Sequence, residues 1–203
     1  MKKLFILLLS ITLAGSIAVA QDMPGQGSMA LFGYYTGGAG LGVRYWLSPN
    51  MVLAPAVNFG INNNTTKGQG GASDATNNTT TIGIGVGVEM HTMIASVSPY
   101  FLGGLSFTTI SQTIKPSLAA GTPANGTTLE TNISSSPFGV YGGLGFEAFI
   151  AKGVSAGLEG QVGVSFGGGK TTTKTQGFAD FTAENSTFGL NLYTTSVWLS
   201  IYF

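Results

Sequence analysis

From about residue 27 the chain alternates apolar and polar side chains in short runs, set apart by turn residues or by polar low-complexity stretches. Eight such segments can be counted, at 27–36, 39–47, 51–62, 79–91, 98–110, 135–150, 154–168 and 187–203. A period of two predicts strands, and each segment supplies the roughly 9–11 residues that a tilted strand needs to cross a bilayer. The fourth shows the alternation most cleanly, with Ile82, Ile84, Val86, Val88 and Met90 on one side and Gly83, Gly85, Gly87 and Glu89 on the other. A face of glycines with one carboxylate cannot make a hydrophobic core, but it can line the crowded polar inside of a narrow barrel whose apolar side meets lipid. The seventh segment repeats this, with Val154, Leu158, Val162 and Phe166 outside and Ser155, Gly157, Glu159 and Gln161 inside. The sixth places Phe138, Val140, Leu144 and Phe146 outside and Gly139, Tyr141, Gly143 and Glu147 inside.

The two ends of the chain add to this. The last run, Ser196 to Phe203, ends on an aromatic residue with no polar cap. Pairing it with the first strand would close the barrel and remove the edge. At the other end Lys2 and Lys3, an apolar stretch from Leu4 to Leu13 and Ala18-Val19-Ala20 form a secretory-signal pattern, with cleavage expected after Ala20. The expected organisation is a signal peptide at 1–20 and, at 21–203, an all-β, eight-stranded antiparallel up-and-down transmembrane β-barrel.

Export together with a terminal strand carrying Tyr193, Val197, Leu199, Ile201 and Phe203 on one face resembles the bacterial outer-membrane β-barrels. Gly42-Val43-Arg44-Tyr45-Trp46-Leu47-Ser48-Pro49-Asn50 looks like the second strand and tight turn of the small OmpA/OmpX-like barrel domains. The resemblance implies an outer-membrane location and contact with outer-membrane lipid. It also implies a C-terminal signal read by the barrel-assembly machinery, with periplasmic chaperones engaged during biogenesis. With a periplasmic N-terminus, the turns at 48–50, about 91–98 and 152–153 are periplasmic, and the connections 63–78, 111–134 and 169–186 are extracellular. Their Asn/Thr/Gly-rich composition predicts mobile, hydrated tips, in which Phe178 and Phe181 are the candidate contacts for an extracellular ligand.

Composition narrows the functions. Only 8% of the chain is charged and its hydropathy is positive, yet the mature part holds no run of 18 apolar residues, which excludes helical spans. Cysteine is absent, which removes disulfides, thiolate metal sites and a lipoprotein anchor. Loss of Lys2 and Lys3 leaves six cations against eight anions, a net charge of about −2 with no basic patch for nucleic acid. Aromatics cluster near strand ends as interfacial girdles do: Tyr35, Phe59, Phe107, Phe138 and Phe166 outside, and Tyr45, Tyr100 or Phe101, Phe146 and Phe203 inside.

Gly168-Gly169-Lys170-Thr171 lacks the spacing of a phosphate loop, since Val164 stands where a glycine is required. The single histidine, His91, has no evident carboxylate pair or nucleophile beside it, so neither a metal site nor catalysis is expected. The inward charges Arg44, Glu89, Glu147 and Glu159 all fall in the periplasmic half of the lumen. They predict one cluster, either a gate for small ions or an ion-paired plug, and the narrow lumen favours the plug. The expected function is non-enzymatic and cofactor-free, a structural or surface-contact role through the long loops. The alternative is a narrow channel for ions or a small apolar solute.

Overall fold

The computed structural model describes residues 24–35, 38–67, 74–92, 96–116 and 127–203, with backbone alone at 191–194. The expected signal peptide and its cleavage point lie outside the described residues.

Among the described residues nine strands follow one another: β1 (Met29–Tyr35), β2 (Ala39–Ser48), β3 (Met51–Thr66), β4 (Ala75–His91), β5 (Val97–Pro116), β6 (Thr128–Ser135), β7 (Phe138–Ala151), β8 (Val154–Thr175) and β9 (Phe181–Tyr202). They fill eight places in the wall, because β6 and β7 are one strand interrupted at Ser136 and Pro137. Proline has no N–H to give to a ladder. Its carbonyl still accepts from Thr108 N at 3.0 Å, and Ser136 N donates to Gly168 O at 3.1 Å, so the neighbours stay joined across the break. All pairings are antiparallel, and β1 closes on β9 from Ala30↔Tyr202 to Tyr35↔Val197. The protein is therefore an eight-place, up-and-down β-barrel.

Paired residues followed once round the wall, from Phe188 through Phe166, Phe138, Phe107, Ile84, Val57, Leu41 and Gly33, return to β9 eleven positions away at Leu199. One of these positions is a bulge. Such a stagger over eight strands corresponds to a tilt of about 40°.

Inward glycines serve as seats for rings. Phe32 pairs with Gly42, Tyr34 with Gly40, Tyr100 with Gly145, Trp198 with Gly157 and Tyr141 with Gly104. At each of these glycines an added Cβ would run into the facing ring. The aromatic side chains thus lie along the wall, each covering the backbone that its glycine partner leaves bare.

The strands outrun the expected segments. β3, β4, β5, β8 and β9 have 16, 17, 20, 22 and 22 residues, well beyond the roughly 9–11 required for crossing. The expectation of mobile tips is overturned for the described parts of 63–78, 111–134 and 169–186, which continue as hydrogen-bonded ladders above the barrel. Asn63 pairs with Asn78, Thr113 with Asn132 and Thr172 with Thr182. Burial of apolar surface is not what orders them. Backbone ladders and cross-strand Thr/Asn contacts do, such as Gln112 Nε2 donating to Asn77 Oδ1 at 3.0 Å.

Outward side chains are apolar and exposed from Ile201 and Met90 up to Ile61 and Phe188. Inward side chains divide into two zones. Near the short turns Ala30, Arg44, Trp46, Val52, Glu147, Phe149 and Ser155 are buried. Nearer the long hairpins Phe32, Tyr34, Asn58, Thr108, Tyr141 and Gln161 are only half-buried.

Candidate functional site

The buried zone is held by one guanidinium. Arg44, on β2, points inward against side chains of β4, β7 and β9, and its Nη1 donates to Glu147 Oε1 at 2.8 Å while Nη2 pairs with Glu89 Oε2. Glu147 Oε1 also accepts from Ser155 Oγ and Tyr202 OH, each at 2.5 Å. The Arg44 guanidinium carbon lies 4.4 Å from the centre of the Trp198 ring, a cation–π contact that covers its other face. Removing charges from water is costly, and the set offsets that cost through both Nη atoms of Arg44 and through Glu147 Oε1, while Arg44 Nε and Glu147 Oε2 are buried without a hydrogen-bond partner among the described residues.

Glu159 belongs to a second, adjoining set. It accepts from Tyr100 OH at 2.9 Å, Ser196 Oγ at 2.6 Å and Gln161 Nε2 at 2.7 Å, with no direct contact to Arg44. Tyr100 joins the two sets, since Trp198 Nε1 donates to its hydroxyl at 3.1 Å. Tyr100 therefore faces the lumen and Phe101 faces lipid, which resolves the alternative left by the alternation.

His91 is the residue that the sequence undervalued. Its Nε2 sits 2.9 Å from Glu89 Oε2, its Nδ1 is 2.8 Å from Ser98 Oγ and 3.9 Å from Glu147 Oε2, and its ring stacks on Tyr100 at 4.7 Å. The absence of a nearby carboxylate pair is thus corrected: Glu89 and Glu147 flank it. The signal was present in the spacing, because residues two apart on a strand share a face. Glu89, His91 and Ser98 form a chain with the connectivity of a nucleophile, base and acid, yet all three are buried. Two cavities, of about 420 and 140 Å³, lie along β7 and β8, and neither is lined by these residues. Among the described residues no group of three His, Cys, Asp or Glu side chains is arranged for a metal ion.

The other candidates lie apart from this cluster. Val197, Leu199, Ile201 and Phe203 are exposed on the outward face, while the side chain of Tyr193 lies outside the described residues. Phe178 is exposed in the turn after β8, and Phe181, also exposed, opens β9.

A closed β-barrel with an apolar outer band and a charged, packed interior defines a transmembrane barrel. The chain matches the outer membrane protein beta-barrel domain over residues 11–193 and belongs to that family. It is a protein of the outer membrane, with its apolar band in lipid. A major outer membrane protein from Thermus thermophilus is similar in structure, with a TM-score of 0.60 at 12% identity over 87% of this chain and 98% of that one. CarO2 of Acinetobacter baumannii gives 0.48 at 12% identity, over 87% and 98%. The N-terminal β-barrel domain of Pseudomonas aeruginosa OprF gives 0.42 at 12%, over 89% and 100%. At this identity the likeness concerns the fold. No protein of curated function matches the sequence.

Proposed function

We propose that this is a non-enzymatic outer-membrane barrel whose axial path is closed and whose work is structural or surface contact through its projecting hairpins. The observation that carries this reading is the Arg44–Glu89–Glu147 set, packed with Trp46, Tyr100, Phe149 and Trp198 across one end of the lumen. Of the two roles open to that cluster, a plug fits better than a gate. Arg44 is tied to both acids and stacked on Trp198, so no second arrangement is prepared for it.

Short turns at one end and long hairpins at the other support a periplasmic buried end and an extracellular sheet. Phe178 and Phe181, exposed aromatics far from the lipid band, are the candidate contacts for an extracellular ligand. Val197, Leu199, Ile201 and Phe203, with Tyr193, form the stripe proposed for recognition by the barrel-assembly machinery, and periplasmic chaperones would carry the chain after cleavage at Ala20. Catalysis is disfavoured because Ser98 and His91 are sealed from any substrate.

Recordings from purified protein in planar bilayers test the reading. Silence is expected, and steady single-channel openings from the unmodified protein would overturn the closed axial path.

A further inference from the structure

The wall is not of even height. β1 ends at Tyr35 and β2 begins at Ala39, and among the described residues β9 takes no partner on its β1 side beyond Val197, back to Phe181. Likewise, among the described residues, β3 takes none on its β2 side from Gly60 to Thr66.

This gap reaches down into the lipid zone. Outward positions stay apolar up to Ile61, Ile82, Phe107, Phe166 and Phe188, and turn polar at Asn63, Thr80, Thr109 and Ser186. At about 3.3 Å per residue and a tilt of about 40°, each residue climbs about 2.5 Å, which puts Tyr35 about 17 Å below Phe188. β1 has 7 residues against the roughly 9–11 needed to cross. Across the gap, from β9 to β3, three strand spacings make about 14 Å.

We propose that this notch is a lateral portal through which small, weakly polar aromatic or aliphatic molecules pass from the half-open upper lumen into the surrounding outer leaflet. Unpaired backbone at membrane depth is tolerated only where it lines a water-filled space. The edges of β3 and β9 therefore mark a hydrated opening, while Tyr35, Phe59, Ile61, Phe188 and Leu190 present apolar surface on its lipid side. The chemistry of the cargo follows from the two exits. The charged plug blocks the way down, and hydrocarbon on the other side accepts only apolar matter. The upper lumen suits such a molecule, with Phe32, Tyr34 and Tyr141 laid along its wall beside Asn58 and Gln161. The proposal goes beyond the surface-contact reading and requires no axial conduction.

The test uses N-phenyl-1-naphthylamine, an apolar dye that brightens in hydrocarbon and is held back by an intact outer membrane. Gram-negative cells producing the full chain should take it up severalfold faster than cells without it. Lengthening the β1–β2 hairpin by two residues on each side should return uptake to the background rate. A second closure is available because the chain has no cysteine: Thr187→Cys, on the β9 edge, modified with a polymer maleimide, should do the same. Uptake that does not depend on production of the protein, or that survives both closures, overturns the portal. So does a native dimer that Thr187→Cys cross-links, since a second copy would then cover the notch. None of these outcomes bears on axial conductance, so the portal and the closed axial path fail separately.

Discussion

The two halves of the lumen are built from the same strands and hold themselves together differently. The half near the short turns is densely packed: Arg44, Glu89, Glu147, His91 and Ser155 bond to one another, Trp46, Tyr100, Phe149 and Trp198 fill the space between, and Arg44 Nε, Trp46 Nε1, Glu147 Oε2 and Ser200 Oγ stay without a hydrogen-bond partner among the described residues. The half near the long hairpins keeps its rings on the wall and its polar groups part-exposed, and above it the sheet stands on ladder bonds and exposed cross-strand polar contacts. In the first half a substitution meets packed neighbours and uncompensated charge. In the second it meets water.

The sharpest contrast comes from Arg44→Met. Removing the base leaves Glu89 and Glu147 buried together, at a cost of about 3–5 kcal/mol. Glu89→Gln, Glu147→Gln and Glu159→Gln should each cost less, because they leave no buried charge without its base. Urea unfolding in lipid measures all four, and equal losses would show that no shared cluster exists.

Packing gives a middle-sized effect. Gly145→Val should push Tyr100 out of its seat at about 1–3 kcal/mol, whereas Asn58→Ala in the upper half should stay within about 0.5 kcal/mol. Comparable losses at the two sites would erase the distinction between the halves.

A smaller effect is expected in the projecting sheet. Glu130 accepts from Asn132 Nδ2 at 2.6 Å and pairs with Lys174 and Lys115 at 3.1 Å each, and these partners, Asn132 first, hold its carboxyl down to about 2. A depressed folded-state value means that the contribution is present above about 4.5 and is lost as pH falls through about 2. Amide protection in β5, β6 and β8, taken relative to the intrinsic exchange rate at each pH, should therefore fall as pH drops between those values in the native protein and stay flat there in Glu130→Gln. Which half faces the medium is open to a simple check. An epitope tag after Gly70 should be reached by antibody on intact cells, and access only after permeabilisation would invert the topology.

Alternation in Gly83–Met90 and Val154–Phe166 was enough to read the barrel, because a two-residue period with glycine on one side has few other solutions. Arg44, Glu89, Glu147 and Glu159 were readable as inward charges for the same reason. Their division into two sets was not, since it depends on Tyr100, Ser196 and Trp198 arriving from distant strands. The projecting ladders were hidden because Asn/Thr/Gly stretches lack the apolar period that announces a strand, although their backbone pairs equally well. The height of the notch required knowledge of where β9 and β3 end, which composition does not give.

Reactivity of single cysteines compares the halves most directly, since the native chain contributes no thiol of its own. In lipid nanodiscs, where both ends of the barrel are open to reagent, Thr108→Cys in the upper half should react readily with a small charged maleimide. Ser98→Cys and Ser155→Cys, both in fully buried positions, should show no measurable reaction while the protein remains folded. Similar rates at all three positions would mean that the lower lumen admits solutes and that it is no plug.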